Sequence, residues 1–330
     1  MTPLDTHGTI PLGSIPRASG PHDSAPRSHE LRSSIPLGLG IRTIGRRRFD
    51  FDRQVAIMAV INRTPDSFSD FGATFALDRA VEASLEAVRL GADWVDIGGV
   101  PFGRGPHVST ADEIARVVPV IEAVAAESDV VISVDTNNAR VAQAAIDAGA
   151  AVINDTSGLG DPDMAGVVAG ADAHVVITHS VGPPRAEKPA ARYDDVVASV
   201  CAFLAERVAQ AEAAGIPRDR IIIDPGHDLD KNTLHTLELT RRLGELTEFG
   251  LPILAAVSNK DFIGESIDRE QGRRLAGSLA AMVACIERGA RILRMHDVEA
   301  SVDAARMIET ILGMREPARV EHNTHPTRNV

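Results

Sequence analysis

The sequence contains few cysteines, aromatic residues and lysines. Its 330 residues include two cysteines, one tryptophan and one tyrosine, and aromatic residues make up 3% of the chain. Cys201 and Cys285 lie in alanine-rich segments without metal-ligand spacing, so buried free thiols are expected rather than a disulfide framework or a metal site. Only three of the 34 basic residues are lysines, which makes the position of each one informative: Lys188, Lys231 and Lys260.

Long apolar runs and a surplus of positive charge are also missing. No stretch approaches the roughly 18 uninterrupted apolar residues of a membrane-spanning helix, and the first residues lack the apolar core of a secretory signal. The formal net charge of -12 argues against a broad nucleic-acid-binding surface. We therefore expect a soluble cytoplasmic protein whose partners are small molecules, with no nucleic acid and no membrane among them.

Composition changes along the chain predict three parts. Residues 1–50 are rich in Pro, Gly, Ser and Arg, a composition that buries too little apolar area to offset chain entropy, so a disordered arm is predicted there. Residues 51–314 have the patterning of a folded domain. Residues 315–330 turn polar again and are predicted to be a flexible tail.

The folded domain alternates short β-branched apolar runs with longer segments of helical period. Eight runs are predicted as strands: 55–62, 94–98, 130–136, 151–156, 174–179, 221–226, 252–258 and 291–297. Eight strand-then-helix units within residues 51–314 predict an α/β fold, a single (β/α)8 TIM barrel. A doubly wound open sheet is the alternative, but the glycine-rich dinucleotide turn is missing after the first strand.

Every predicted strand carries a polar residue near its carboxyl end. These residues are Asn62, Asp96, Asp135, Asn154, His179, Asp224, Ser258 and Arg294. Asp and Asn are common turn formers, which is the simplest explanation for any one position. Asp135, Asn154 and Arg294, however, lie inside the apolar runs, where an unpaired polar group costs a few kcal/mol. In a barrel all eight would converge on one mouth, where active sites of this fold are built.

One part of this ring suits a flat, nitrogen-rich heterocycle. Asp135, Asn154 and Asp224 can accept hydrogen bonds from the N–H groups of an amino-pyrimidinone, and Lys260 can donate to its carbonyl and ring nitrogens. The sequence therefore predicts a binding site for such a ring at the mouth.

Another part of the ring suits an anion. Arg294 and His296 are two residues apart on one strand and face the same side. This pair lies at the eighth strand, near the place where barrels of this type hold phosphate. Asn62 can give a neutral oxygen to a Mg²⁺ ion that bridges pyrophosphate oxygens. A mononuclear zinc hydrolase is disfavoured, because the histidines lie on separate strands.

Longer motifs identify a family. The segment 62–70 reads NRTPDSFSD, and it is followed in order by DIGG at 96–99, SVDT at 133–136, ND at 154–155, DPG at 224–226, SNK at 258–260 and RMHD at 294–297. From residue 56 to residue 314 this pattern resembles the dihydropteroate synthase family. The first motif is long enough to be highly specific.

The resemblance implies a substrate and a role for each matching position. Positions matching Asp135, Asn154, Asp224 and Lys260 hold 6-hydroxymethyl-7,8-dihydropterin pyrophosphate, and those matching Asn62, Arg294 and His296 hold its pyrophosphate and Mg²⁺. Asp66, Lys260, Arg294 and His296 are the implied catalytic residues. The implied reaction joins p-aminobenzoate to the pterin methylene as pyrophosphate departs, and a homodimer formed through the later helices is also implied.

The departures from the family pattern cluster on the p-aminobenzoate side. Val100 and Phe102 stand in a segment where the family has Glu, Ser, Ser or Thr and Arg, and Leu229 stands where it has an aromatic residue. Asn259, next to Ser258, replaces an arginine. The leading hypothesis is a dihydropteroate synthase-type transferase. The alternatives are a divergent paralogue that binds pterin or sulfone-like ligands with little or no synthase activity, a corrinoid-linked methyltransferase domain, and a structural or regulatory barrel.

Overall fold

The computed structural model describes residues 37–63, 76–101, 107–182 and 192–322. Within these ranges the strands β1 to β10 are Ile41–Ile44, Arg47–Asp50, Ala56–Asn62, Trp94–Gly98, Val131–Asp135, Val152–Asp155, His174–Thr178, Ile221–Asp224, Ile253–Ala255 and Ala290–Met295. Strands β3 to β10 pair in parallel in chain order, and β10 pairs with β3 to close the barrel. The predicted (β/α)8 barrel is confirmed.

Helices cover the outside of the barrel. In the described ranges α1 to α9 are Leu77–Arg89, Thr110–Glu127, Ala139–Ala148, Met164–Ala169, Val196–Ala213, Thr233–Arg241, Asp261–Ile267, Leu275–Glu287 and Val298–Ile311. Ser109 is the N-cap of α2, and its hydroxyl accepts from the backbone N–H of Asp112. None of the helices in these ranges has the length and apolar character required to cross a membrane.

Two apolar layers explain why the strands are apolar on both faces. In β3, Ile57 belongs to the cluster between barrel and helices, whereas its neighbour Met58 belongs to the cluster inside the barrel. In β4, Trp94 is inward and Val95 is outward in the same way. Because side chains alternate along a strand, the polar residue two positions after Trp94 is also inward. The barrel is thus apolar at its floor and polar at its mouth.

A hairpin formed by β1 and β2 closes the floor of the barrel. The two strands pair antiparallel, and Ile44, Phe49 and Phe51 are fully buried against the inner apolar layer. The prediction of a disordered arm is therefore wrong for residues 41–50. Their apolar side chains are shielded by the barrel end itself, a partner that local composition does not reveal.

Candidate functional site

Asp96 is the centre of a buried polar network inside the barrel. Its carboxylate is fully buried and accepts hydrogen bonds from Ser133 Oγ at 2.6 Å, Asn154 Nδ2 at 3.0 Å and Arg294 Nε at 2.6 Å. Side chains from β4, β5, β6 and β10 are thereby connected. From the sequence, Asp96 is a polar strand end and part of the DIGG motif, without an assigned role. Its inward position, two residues from the buried Trp94, was the available signal.

Arg294 is held between two carboxylates. Besides the contact to Asp96, its Nη2 donates to Asp135 Oδ2 at 3.2 Å. Burial alone would lower the pKa of Arg294, but the carboxylates of Asp96 and Asp135 raise it. The guanidinium stays charged and in one orientation, facing the mouth from β10.

Two mouth carboxylates are less acidic than usual. Burial raises the pKa of Asp224 to about 6, although the Gly226 N–H that donates to its Oδ1 at 2.7 Å and the nearby Lys260 oppose the shift. Burial also raises the pKa of Asp135, where Arg294 acts in the opposite direction. Both groups can therefore change protonation state when a ligand binds.

Lys260 shares the mouth with these groups. It occupies the N-cap position of α7, directly after β9 and its connecting turn. Burial lowers its pKa, whereas the carboxylates of Asp228, Asp224 and Asp135 raise it and the charge of Arg294 lowers it further. The predicted pterin-side residues thus lie within electrostatic reach of one another around a single opening.

Two inward polar atoms on neighbouring strands are left without a protein partner. Asn154 Oδ1 on β6 and Thr178 Oγ1 on β7 are buried and make no hydrogen bond to any part of the chain that the structure describes. A buried polar atom without a partner costs about 1 to 3 kcal/mol. A ligand that donates hydrogen bonds at this depth would remove that cost.

The predicted anion-side residues border the same opening. A Cβ placed on Gly98 would lie 3.5 Å from Asn62 Oδ1 and 3.7 Å from the Asp135 Cβ, so the Asn62 amide and Asp135 flank Gly98. His296 is exposed, its Nδ1 lies 2.9 Å from Ser258 Oγ, and its backbone N–H donates to the same oxygen. Ser258 Oγ therefore accepts from the backbone N–H and lies within hydrogen-bond distance of Nδ1, which fixes the orientation of the imidazole ring.

The loop after β8 carries two aspartates in the left-handed region. Asp228 has φ 63° and Asp230 has φ 55°, a conformation that costs about 1 kcal/mol or more in non-glycine residues. The carboxylate of Asp228 accepts from the backbone N–H of Phe262 at 3.2 Å and from Thr236 Oγ1 at 3.1 Å. These bonds connect the loop to α6 and α7 and offset the backbone strain.

The same loop holds a buried lysine. Lys231 Nζ contacts His179 Nδ1 at 2.8 Å and donates to the backbone oxygens of Gly226 at 2.9 Å and Leu229 at 3.0 Å. Burial lowers the pKa of Lys231 to about 7, and Asp224 and Asp230 oppose the shift. All three donors of the ammonium are used inside the protein, so Lys231 clamps the loop.

His227 lies beside this clamp without hydrogen bonds. Both ring nitrogens are buried and have no partner among the described residues, and the ring stacks on Phe262 with centroids 6.4 Å apart. Burial lowers the pKa of His227 to about 3, and the charges of Lys231 and Lys260 act in the same direction. The imidazole is therefore neutral at ordinary pH.

Asn259 is one of the positions at which the sequence departs from the family pattern on the predicted p-aminobenzoate side. It has φ 59°, its N–H donates to Ser278 Oγ at 3.0 Å, and its backbone oxygen accepts from Arg274 Nη1 at 3.1 Å. The same guanidinium is paired with Asp261 at 2.9 Å. A positive charge is thus present near Asn259, but Asp261 neutralises it.

Two of the predicted site residues, Asp66 and Phe102, lie outside the described residues. Val100 is half-buried near the end of one described range. Within the described part of the chain there is no group of three or more His, Cys, Asp or Glu side chains arranged to hold a metal ion. Asn62 is therefore a single metal-ligand candidate whose remaining ligands would come from substrate and water.

Comparison with known proteins matches the barrel to one family and to named relatives. A family model described as pterin binding enzyme matches residues 58–296. The inactive dihydropteroate synthase 2 of Mycobacterium leprae is 45% identical over 81% of this chain and 94% of that relative. The dihydropteroate synthase of Escherichia coli K12 is 38% identical over 80% and 94%.

A solved structure shows the same similarity. Xanthomonas albilineans dihydropteroate synthase with 4-aminobenzoic acid superposes with a TM-score of 0.76 at 41% identity, covering 82% of this chain and 97% of that one. The relatives therefore include both a synthase and a protein named inactive.

Proposed function

The chain belongs to the pterin-binding enzyme family, and we propose that its barrel mouth binds 6-hydroxymethyl-7,8-dihydropterin pyrophosphate. The observation that carries this proposal is the buried Asn154 Oδ1, which has no partner in the part of the chain that the structure describes and lies in the same network as the carboxylates and the guanidinium of the mouth. An amino-pyrimidinone edge supplies the N–H donors that this oxygen, Asp135 and Asp224 require. Lys260 donates to the ring carbonyl.

The residues of the opposite rim suit the pyrophosphate. Arg294 keeps its charge because two carboxylates hold it, and the exposed imidazole of His296, positioned by Ser258, can donate a hydrogen bond to a phosphate oxygen. Both groups would stabilise negative charge that grows on the departing pyrophosphate as its C–O bond breaks. When bound, Mg²⁺ would supply further neutralisation of that charge, with Asn62 as its protein ligand. Asp66 remains a predicted catalytic residue.

We further propose that condensation with p-aminobenzoate is weak or absent. In that reaction the amine nitrogen forms the new bond to the pterin methylene, so the benzoate must dock beside Lys260. There the chain has Asn259 in place of arginine, Leu229 in place of an aromatic residue, and the carboxylates of Asp228 and Asp261. Loss of a stacked, paired arginine alone is worth about ten-fold to a hundred-fold in affinity.

A pyrophosphate-release assay with and without p-aminobenzoate, combined with calorimetric titration of the pterin, tests both parts. Tight pterin binding without release supports the proposal. Release that depends on p-aminobenzoate refutes the second part and favours the full synthase. Absence of pterin binding refutes the first part if circular dichroism shows that the parent protein is folded. Asp303→Asn, on the exposed face of α9, is the control variant and must be folded as well.

We also propose a homodimer formed through the later helices. Ile267 at the end of α7 and Leu275 at the start of α8 are each 43% exposed, and α7 and α8 pack on each other where Gly277 approaches Ile263. Large exposed apolar side chains on adjacent helices are typical of a subunit interface. Light scattering of the purified protein measures this: a mass near 70 kDa supports the dimer, given a chain mass of 35.0 kDa, and a mass near 35 kDa overturns it.

A further inference from the structure

A polar cavity at the floor of the barrel, opposite the mouth, is unrelated to the pterin site. It has a volume of about 240 Å³ and lies between the hairpin, the starts of β3 and β4, and the second half of α9. Its charged lining consists of four arginines and two acids: Arg47, Arg48, Arg306, Arg315, Asp93 and Glu309.

Both acids are already neutralised. Arg47 Nη2 pairs with Asp93 Oδ1 at 2.8 Å, and the other oxygen of Asp93 accepts from the backbone N–H of Ile57 at 3.1 Å. Arg315 pairs with Glu309 Oε2 at 3.3 Å, while Glu309 Oε1 accepts from a backbone N–H of the loop before β3. Each carboxylate therefore has one guanidinium and one backbone donor.

Two guanidinium groups of the lining form no ion pair within the described residues, although the charge of Arg306 also acts on nearby Asp93. Within the described residues neither Arg48 nor Arg306 forms an ion pair or a side-chain hydrogen bond, although both line the cavity and are exposed. The lining therefore has two more positive than negative side chains, in a chain whose net charge is -12.

We propose that this cavity, named here the floor site, binds a small oxyanion of the phosphate class through Arg48 and Arg306. Guanidinium groups bind phosphate oxygens through two parallel N–H donors. A dianion therefore matches these two guanidinium groups, which form no ion pair within the described residues. The cavity is smaller than the roughly 300 to 1,000 Å³ typical of sites for drug-sized ligands, which selects free phosphate or a short phosphate monoester.

Trp94 is a built-in reporter for this site. It is the only tryptophan of the chain, it directly follows Asp93, and its ring lies 5.9 Å from that of Phe49, the neighbour of Arg48. Titration of the full chain with inorganic phosphate, and separately with glycerol phosphate, is expected to change Trp94 emission saturably. Preference for the ester indicates a phosphorylated metabolite, and equal affinity indicates free phosphate; both support the site.

The test compares variants that differ only in where charge is removed. Arg48→Gln with Arg306→Gln is expected to weaken binding at least about tenfold. Arg46→Gln, on the same hairpin but outside the cavity, should leave the affinity unchanged. Equal affinity of the double variant and the parent, or an equal loss in Arg46→Gln, would overturn the proposal, as would a failure of phosphate to raise the melting temperature of the parent.

Discussion

The guanidinium of Arg294 on β10 reaches the fully buried carboxylate of Asp96 on β4 across 2.6 Å inside the barrel. The pair joins two strands that have only β3 between them in the sheet. Because a buried charge needs a partner, each of the two groups depends on the other, and stability and ligand binding share this contact.

Asp96→Asn is expected to destabilise the fold by about 3 to 5 kcal/mol, because it removes the shorter of the two ion pairs that hold the buried Arg294 among the described residues. Ser133→Ala removes one neutral donor from the same carboxylate and should cost only about 1 kcal/mol. Urea unfolding of both variants measures the difference. Similar small losses in both would show that the Asp96 charge is not essential to the network.

Pterin affinity is expected to rise about tenfold between pH 5 and pH 7, because only the ionised carboxylate of Asp224 accepts the ligand's N–H donors and its pKa is raised to about 6. Calorimetric titration across this range measures the profile. Asp224→Asn should reduce the pH dependence to the part that Asp135 contributes, whereas Asp303→Asn should keep it in full. A flat profile in the parent protein contradicts the role of Asp224.

The same pKa shift has a consequence for stability. A group whose folded-state pKa is raised stabilises the folded protein fully below its unfolded value, here 3.8, and this contribution is lost as the pH rises through about 6. Asp224→Asn should therefore gain stability relative to the parent as the pH rises across that window.

His227→Leu is expected to stabilise the protein by about 1 to 3 kcal/mol, because it replaces two buried nitrogens without partners by apolar surface against Phe262. His179→Leu is the matched contrast. It removes the acceptor of the Lys231 clamp and should destabilise the fold. The free energy of unfolding of the two variants should thus change in opposite directions, and a loss in both would contradict the assignment of His227.

Asn259→Arg combined with Leu229→Phe is expected to raise any p-aminobenzoate turnover. Since position 259 has φ 59°, the change should also cost about 1 kcal/mol of stability. Asn259→Gln with Leu229→Phe carries the same strain without the charge and is the control. Turnover that stays flat in the Arg variant, while pterin affinity is intact, would show that the defect lies elsewhere.

Strand positions could be predicted from sequence because each barrel strand is an isolated run of β-branched residues. The run 94–98 matches β4 residue for residue, and the others differ by one to three positions at their ends. Helix α7 leaves little signal in the sequence, because it has seven residues, contains Gly264 and begins directly after Lys260. Its N-terminal N–H is satisfied by Asp228, a residue 34 positions away in sequence.

The partners of the site residues could not be predicted, for a related reason. Motifs identified Asp135, Asn154, Asp224 and Lys260, but the role of Asp96 depends on which way its strand faces. The clamp between Lys231 and His179 joins residues 52 apart in sequence. Local patterns report periodicity and turn chemistry, whereas these contacts depend on how distant loops meet.

The hairpin also determines how the protein should be trimmed for experiments. The match to the family model begins at residue 58, inside β3, and omits Ile44, Phe49 and Phe51. A fragment cut at that point would open the floor of the barrel to water and leave the indole of Trp94 without its aromatic cover. Expression boundaries should therefore be set before β1, so that the protein retains its own lid.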